Sequence, residues 1–140
     1  MRKQNLDIYA AKFGQAIADI VIKNGAPEDK RSKIVRQAEN HVTKSLGILQ
    51  ENGLYALFLY QEVEPDFIKK EVAGQCRSLL EKEPVALLKP GEDLFAGLRK
   101  LCSEFDRLFF AKDLIERVLV YARYHLKAGP ESVAGPGGDK

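Results

Sequence analysis

The residues best able to hold a metal in this chain are His41, His125, Cys76 and Cys102, the full complement of histidine and cysteine. Imidazole and thiolate are the ligands zinc prefers, so a site built from all four is conceivable. Structural zinc sites, however, grow from ligands paired a few residues apart, and no two of these are so paired. His41 and His125 are 84 positions apart on different helical segments. No metal and no other cofactor is therefore expected. His125 falls in the last turn of its helical segment, where a cation complements the dipole, and His41 flanks a polar face. The acidic pairs Glu62/Glu64 and Glu81/Glu83 sit at turns, whereas a carboxylate dyad needs burial to drive its two pKa values apart. A glycine-rich phosphate loop, a GxSxG elbow and an HExxH helix are all missing from the 140 residues. The expectation is a protein without catalytic residues.

A different chemistry is written in KIVRQAENHVTKSLGILQENGLYALFLYQ, residues 33 to 61. With Lys33 at 0° on a helical wheel, Arg36 falls at about 300°, Asn40 at about 340°, Lys44 at about 20°, Gln37 at about 40° and Lys30 at about 60°. Between residues 30 and 50 the one acid is Glu39, at the margin of this stripe. A face that serves only solubility usually mixes signs, often with Glu and Lys four apart. Lys, Arg, Asn and Gln instead are the side chains that grip phosphates and sugars without reading sequence. Lys30, Lys33, Arg36 and Lys44 are the candidate nucleic-acid-binding residues. Arg31 falls on the apolar side, so the partition is imperfect at its start, and a solvated basic face remains the competing explanation.

Helices must position that stripe, because strand signals are nearly absent. Leu6, Tyr9, Phe13, Ile17, Ile20 and Val21 recur at spacings of three and four and predict a first helix that Asn24-Gly25 ends. Pro27, Glu28 and Asp29 suit the opening turn of a second, over 27–51. Its core side is Ile34, Val35, Ala38, Val42, Leu46 and Leu49, a sector about 120° wide. Asn52-Gly53 stops it, and Leu54 to Tyr60 is apolar on most sides, as a short buried helix would be. Glu64-Pro65-Asp66 breaks the chain before the stripe Phe67, Ile68, Val72, Cys76, Leu79, Leu80. PVALLKPGE, residues 84–92, reads as a loop. Leu94, Phe95, Leu98, Leu101, Cys102 and Phe105 mark a further helix. The last, 106–128, turns Leu108, Ala111, Ile115, Val118, Leu119, Ala122 and Leu126 one way. The tail GPESVAGPGGDK has little to bury and is expected to be disordered. The fold class predicted is all-α, a compact bundle of five or six helices in one domain over 1–128, with a Gly/Pro-rich tail over 129–140.

Composition agrees with such a domain: 45% of residues are hydrophobic and 30% charged. No apolar run reaches the roughly 18 residues of a membrane span. The N-terminus MRKQNLDIYAAKFG lacks the continuous apolar core of a secretory leader, and two thiols among apolar neighbours suit a reducing compartment, so a cytoplasmic location without membrane contact is expected. The net charge of +2 conceals a segregation. Nine basic residues meet five acids over 1–50, five meet nine over 51–98, and seven meet four over 99–127. The order basic, acidic, basic concerns partners rather than fold. The final helix adds a second candidate surface: Phe110, Arg117, Tyr121 and Tyr124 lie opposite its core stripe, between about 160° and 220° from Leu108. Aromatics with arginine are enriched where proteins meet partners, although a helix buried on all sides would show the same pattern.

The second helix, its Asn52-Gly53-Leu54 stop and the run LYALFLY resemble a pattern in the small helical subunit of type III CRISPR effector complexes. In the Cmr-type small subunit a helix ends in a similar Asn-Gly-Leu and another apolar helix follows. The closing stretch LIERVLVYARYHLKAG is similar to the aromatic, basic C-terminal helix of the Csm-type counterpart. The likeness covers 33–61 and 108–128; residues 62–106 match no part of it and leave the subtype open. The resemblance implies a small subunit without catalytic residues in a ribonucleoprotein of antiviral defence. Copies would stack head to tail along the guide-RNA filament, touch the backbone subunits and support the guide–target duplex through its phosphates. Lys30, Lys33, Arg36 and Lys44 would face those phosphates. Phe110, Arg117, Tyr121 and Tyr124 would face a neighbouring copy or a backbone subunit. The competing expectation is a protein–protein adaptor that docks a partner through the aromatic C-terminal helix.

Overall fold

A single glycine turns the chain between its second and third helices. Gly53 has φ 99°, a conformation that side chains with a Cβ rarely adopt, and its N–H closes the preceding helix on the carbonyls of Ile48 and Leu49 at 3.2 and 3.0 Å. Around this joint the computed structural model describes residues 3–24 and 28–128, the side chains of 3–5 and 28–32 excepted; the tail and Lys30 lie outside the described side chains. The order is α1 (Lys3–Asn24), α2 (Glu28–Asn52), α3 (Leu54–Gln61), α4 (Phe67–Glu81), α5 (Leu94–Cys102) and α6 (Phe105–Ala128). Among the described residues there is no strand, and no helix is long and apolar enough to cross a membrane. The chain is an all-helical bundle.

The short helices are fixed at their starts by aspartates. The Asp66 carboxylate accepts the Lys69 N–H at 2.9 Å and that of Asp93 accepts the Ala96 N–H at 2.9 Å, each satisfying a donor the helix itself cannot. Residues 84–92 form a loop as expected, yet Val85 and Leu88 are buried, and the N–H groups of Leu87 and Leu88 both reach the Leu80 carbonyl. α5 is shorter than its pattern suggests. It ends at Cys102, so Phe105 opens α6 in a new rotational phase and stands 73% exposed instead of joining the core.

α6 is the axis of the bundle. Ala111, Ile115, Val118, Leu119, Ala122 and Leu126 are all buried, as are Val35, Ala38, Val42, Leu46 and Leu49 of α2. α1 lies against α6 along a seam of small residues, Ala10, Gly14 and Ala18. At Gly14 the approach is so close that an added Cβ would stand 2.7 Å from both the Tyr121 Cβ and the Val118 carbonyl oxygen. Of the apolar pattern of α1, Ile17 and Val21 are fully buried, whereas the small residues of the seam escape a hydrophobic wheel that points also to Tyr9, Phe13 and Ile20. Those three are only partly buried and sit beside the seam.

Candidate nucleic-acid interface

The α2 face that carries the basic stripe is open. Lys33, Arg36, Gln37, Asn40 and Lys44 are all exposed, while the core sector on the other side is covered. Glu39 is drawn off to the side, where Lys127 of α6 pairs with it at 3.4 Å. None of the ion pairs among described residues involves Lys33, Arg36 or Lys44. Among the described residues, the stripe is thus a run of cations without a carboxylate ion-paired to it.

At its lower end the stripe meets a polar cluster between α2 and α3. The Gln61 side chain is 2% exposed and Ser45 fully buried, so each must find partners within the protein. The His41 Nε2–H donates to Gln61 Oε1 at 2.7 Å, and Gln61 Nε2 donates to Ser45 Oγ at 3.1 Å and to the Leu57 carbonyl at 3.3 Å. This arrangement selects the His41 tautomer with the proton on Nε2. Burial lowers the His41 pKa below the usual 6.5; the Gln61 bond and the charge of Asp66 oppose that fall, and Lys69 and Lys44 add to it. His41 is therefore a neutral ring near pH 7.

On that ring lies Tyr60, with centroids 5.5 Å apart and planes inclined by 18°. Two ammonium groups from different helices converge on the tyrosine: Lys69 Nζ of α4 at 4.5 Å from the ring centroid and Lys44 Nζ of α2 at 5.7 Å. Lys69 also donates to the Val63 carbonyl. The hydrogen-bonded Gln61 fixes His41, His41 supports Tyr60, and the tyrosine ring attracts two cations to its neighbourhood. Such an assembly can hold anionic oxygens without any bond being made or broken. Glu62, Glu64 and Asp66 in the exposed turn between α3 and α4 border it and limit the positive field on that side.

The structure thus brings Lys33, Arg36 and Lys44 onto one open face and extends that face through Tyr60 and Lys69, which the periodicity argument does not single out. Tyr60 reads in sequence as part of an apolar run, and Lys69 lies beyond a chain break, so no pattern within one helix connects them to the stripe.

The four candidate partner residues of α6 separate into two kinds. Arg117 pairs with Asp7 at 2.9 Å and with Asp113 at 3.2 Å, and the Tyr121 hydroxyl donates to the two Asp7 carboxylate oxygens at 3.0 and 2.9 Å. Tyr121 and Arg117 together hold the Asp7 carboxyl below its usual range, and the same contacts raise the tyrosine and arginine. These two side chains clasp α1 to α6. Phe110 and Tyr124 are exposed, at 38% and 65%, and near Phe110 the rings of Phe105 and Phe109 stack on the surface at 6.1 Å.

Cys76 and Cys102 are free thiols, and among the described residues no group of His, Cys, Asp or Glu is arranged to hold a metal ion. No protein-family model, curated protein or solved structure matches the chain.

Proposed function

We propose that this protein is a non-catalytic subunit that supports a nucleic-acid strand through sequence-independent contacts to its backbone, on the face formed by α2, the end of α3 and the start of α4. The observation that carries the reading is the convergence of Lys44 and Lys69 on Tyr60, continuous with the exposed stripe Lys33–Arg36. Phosphates are held by such cations without base readout. The assembly proposed for it is the small-subunit position of a type III CRISPR effector complex, with guide RNA, target strand, backbone subunits and further copies as partners. That assignment rests on the sequence resemblance and on the all-helical bundle.

The test is the anisotropy of a labelled 30-nucleotide single-stranded RNA, alone and with its complement, titrated at low and moderate salt. The wild-type chain should bind with an affinity that falls as salt rises, by about 0.7 log unit per log unit of salt for each phosphate neutralised. Replacing Lys33, Arg36 and Lys44 by alanine should flatten that slope by about 2 while leaving the helical signal intact. An unchanged slope in the triple variant would move the binding face elsewhere. Absence of binding at low salt would favour the adaptor reading, which the exposed Phe105, Phe109, Phe110 and Tyr124 support.

A further inference from the structure

A cavity lies between α1 and α4, lined by none of the residues of the basic stripe. Residues of α1, the C-terminal half of α4 and the 82–85 segment line this cavity of about 280 Å³, which is open to solvent. Tyr9, Phe13 and Ala16 of α1 form one wall, and Leu79 and Val85 the other. Lys12 and Lys82 stand at the rim. Each lysine lies over an aromatic ring of the wall, Lys12 Nζ 5.9 Å from the Tyr9 centroid and Lys82 Nζ 5.8 Å from that of Phe13. Neither lysine belongs to any of the ion pairs among the described residues. Gln75 offers an amide at the wall, although its Nε2 is engaged with Glu71 at 2.8 Å, and Glu83 is the one acid of the lining.

We propose that this cavity binds a small amphipathic monoanion: an aromatic or short aliphatic body carrying one carboxylate. The volume sets the body. A cavity of about 150 Å³ accepts benzene, so one nearly twice as large accepts a phenyl ring with a chain of a few carbons. Walls of phenyl, phenol and aliphatic carbon reward an apolar occupant and give no donor array for a sugar or a nucleobase. The charge sets the head group. Two rim cations against a single carboxylate leave room for one negative charge, and the cation–π contacts hold the ammoniums at the mouth rather than out in solvent. A neutral ligand of the same shape would gain no charge attraction from the two ammoniums, and a cation would meet two like charges.

The experiment uses the full chain labelled with ¹⁵N and titrated with 4-phenylbutyrate, 4-phenylbutanol and 4-phenylbutylamine in parallel. The butyrate should shift the amides of Tyr9, Phe13, Ala16, Leu79 and Val85 in saturable fashion, at least tenfold more tightly than the alcohol, with the amine weakest. Lys12→Gln with Lys82→Gln should bring the butyrate to the level of the alcohol while leaving the alcohol unchanged. Both lysines are exposed, so these variants keep the fold. Ala16→Leu, which fills the cavity, should weaken butyrate and alcohol alike. Equal binding of all three probes, or full affinity in the double variant, would overturn the choice of an anion. Shifts scattered over the surface, or the absence of saturation up to millimolar probe, would overturn the site itself. Shifts of the same amides on concentrating the protein without probe would overturn it in favour of a second copy of this chain.

Discussion

Replacing Gly14 by alanine should destabilise the bundle, although alanine is the better helix former. The two effects oppose each other and their sizes can be compared. In a helix interior alanine gains about 1 kcal/mol over glycine. At Gly14 the new methyl would stand 2.7 Å from the Tyr121 Cβ, 2.7 Å from the Val118 oxygen and 2.9 Å from the Ala122 nitrogen. Carbon atoms pack comfortably at about 3.5–4.0 Å, so α1 must retreat by roughly an ångström. None of the three obstacles can rotate away, because two are backbone atoms and the third is a Cβ. Overpacking of this kind costs about 1–3 kcal/mol, and rigid surroundings place it at the upper end. The net loss should be about 2 kcal/mol, after the propensity gain of about 1 is set against it. Gly74 supplies the control, since it lies on exposed α4 with nothing within 4 Å of an added Cβ. Gly74→Ala should stabilise by up to about 1 kcal/mol. Urea titration followed by circular dichroism reads both: with a slope of about 2 kcal/mol/M the Gly14 variant should lose about 1 M in midpoint and the Gly74 variant gain up to about half of that. A Gly14→Ala midpoint at or above the wild-type value would refute the close α1–α6 seam.

Other perturbations address the remaining parts of the molecule. His41 has a folded-state pKa below 6.5, so the unfolded chain takes up the proton first; its contribution to stability is complete above the ordinary histidine pKa and declines as pH falls through it. Urea midpoints at pH 7.5 and 5.5 should therefore differ more in the wild type than in His41→Gln, and equal differences would show that His41 is not buried against Tyr60. Asp66→Ala removes the acceptor of the Lys69 N–H and should cost about 1 kcal/mol of stability, with Asp66→Asn retaining most of it. Burial pushes the Cys76 thiol up to about 12, so in the native protein a thiolate-seeking disulfide reagent should modify Cys102 alone. Titration of two fast thiols without denaturant would contradict the packing of α4.

Most helix boundaries were legible because they are written in short-range chemistry. Asn52-Gly53 ends α2, and the apolar sector of α2 from Val35 to Leu49 is the face that is buried. The same logic placed Val72, Cys76, Leu79 and Leu80 correctly in the core. Phe105 escaped it because a helical wheel cannot sense that α5 stops at Cys102 and the phase restarts. The clasp of Asp7 on Arg117 and Tyr121 spans 110 and 114 positions, and periodicity within α6 could say only that a second face was aromatic, not that α1 covers part of it. The basic stripe was readable as a pattern of one helix. Its extension through Tyr60 and Lys69 was not, since it depends on how sharply α3 turns back beside α2 and where α4 begins.

That turn has a kinetic meaning. With one glycine between α2 and α3, and Gln61 bonded back to His41, the distance from Lys44 to Tyr60 is set by covalent geometry and a buried network rather than by a flexible loop. If the proposed function holds, a strand arriving at this face meets cations already gathered, so encounter need not wait for a rearrangement of the protein. Association there should be governed by diffusion and ionic strength, and a residue inserted beside Gly53 would slow capture without removing a single charge.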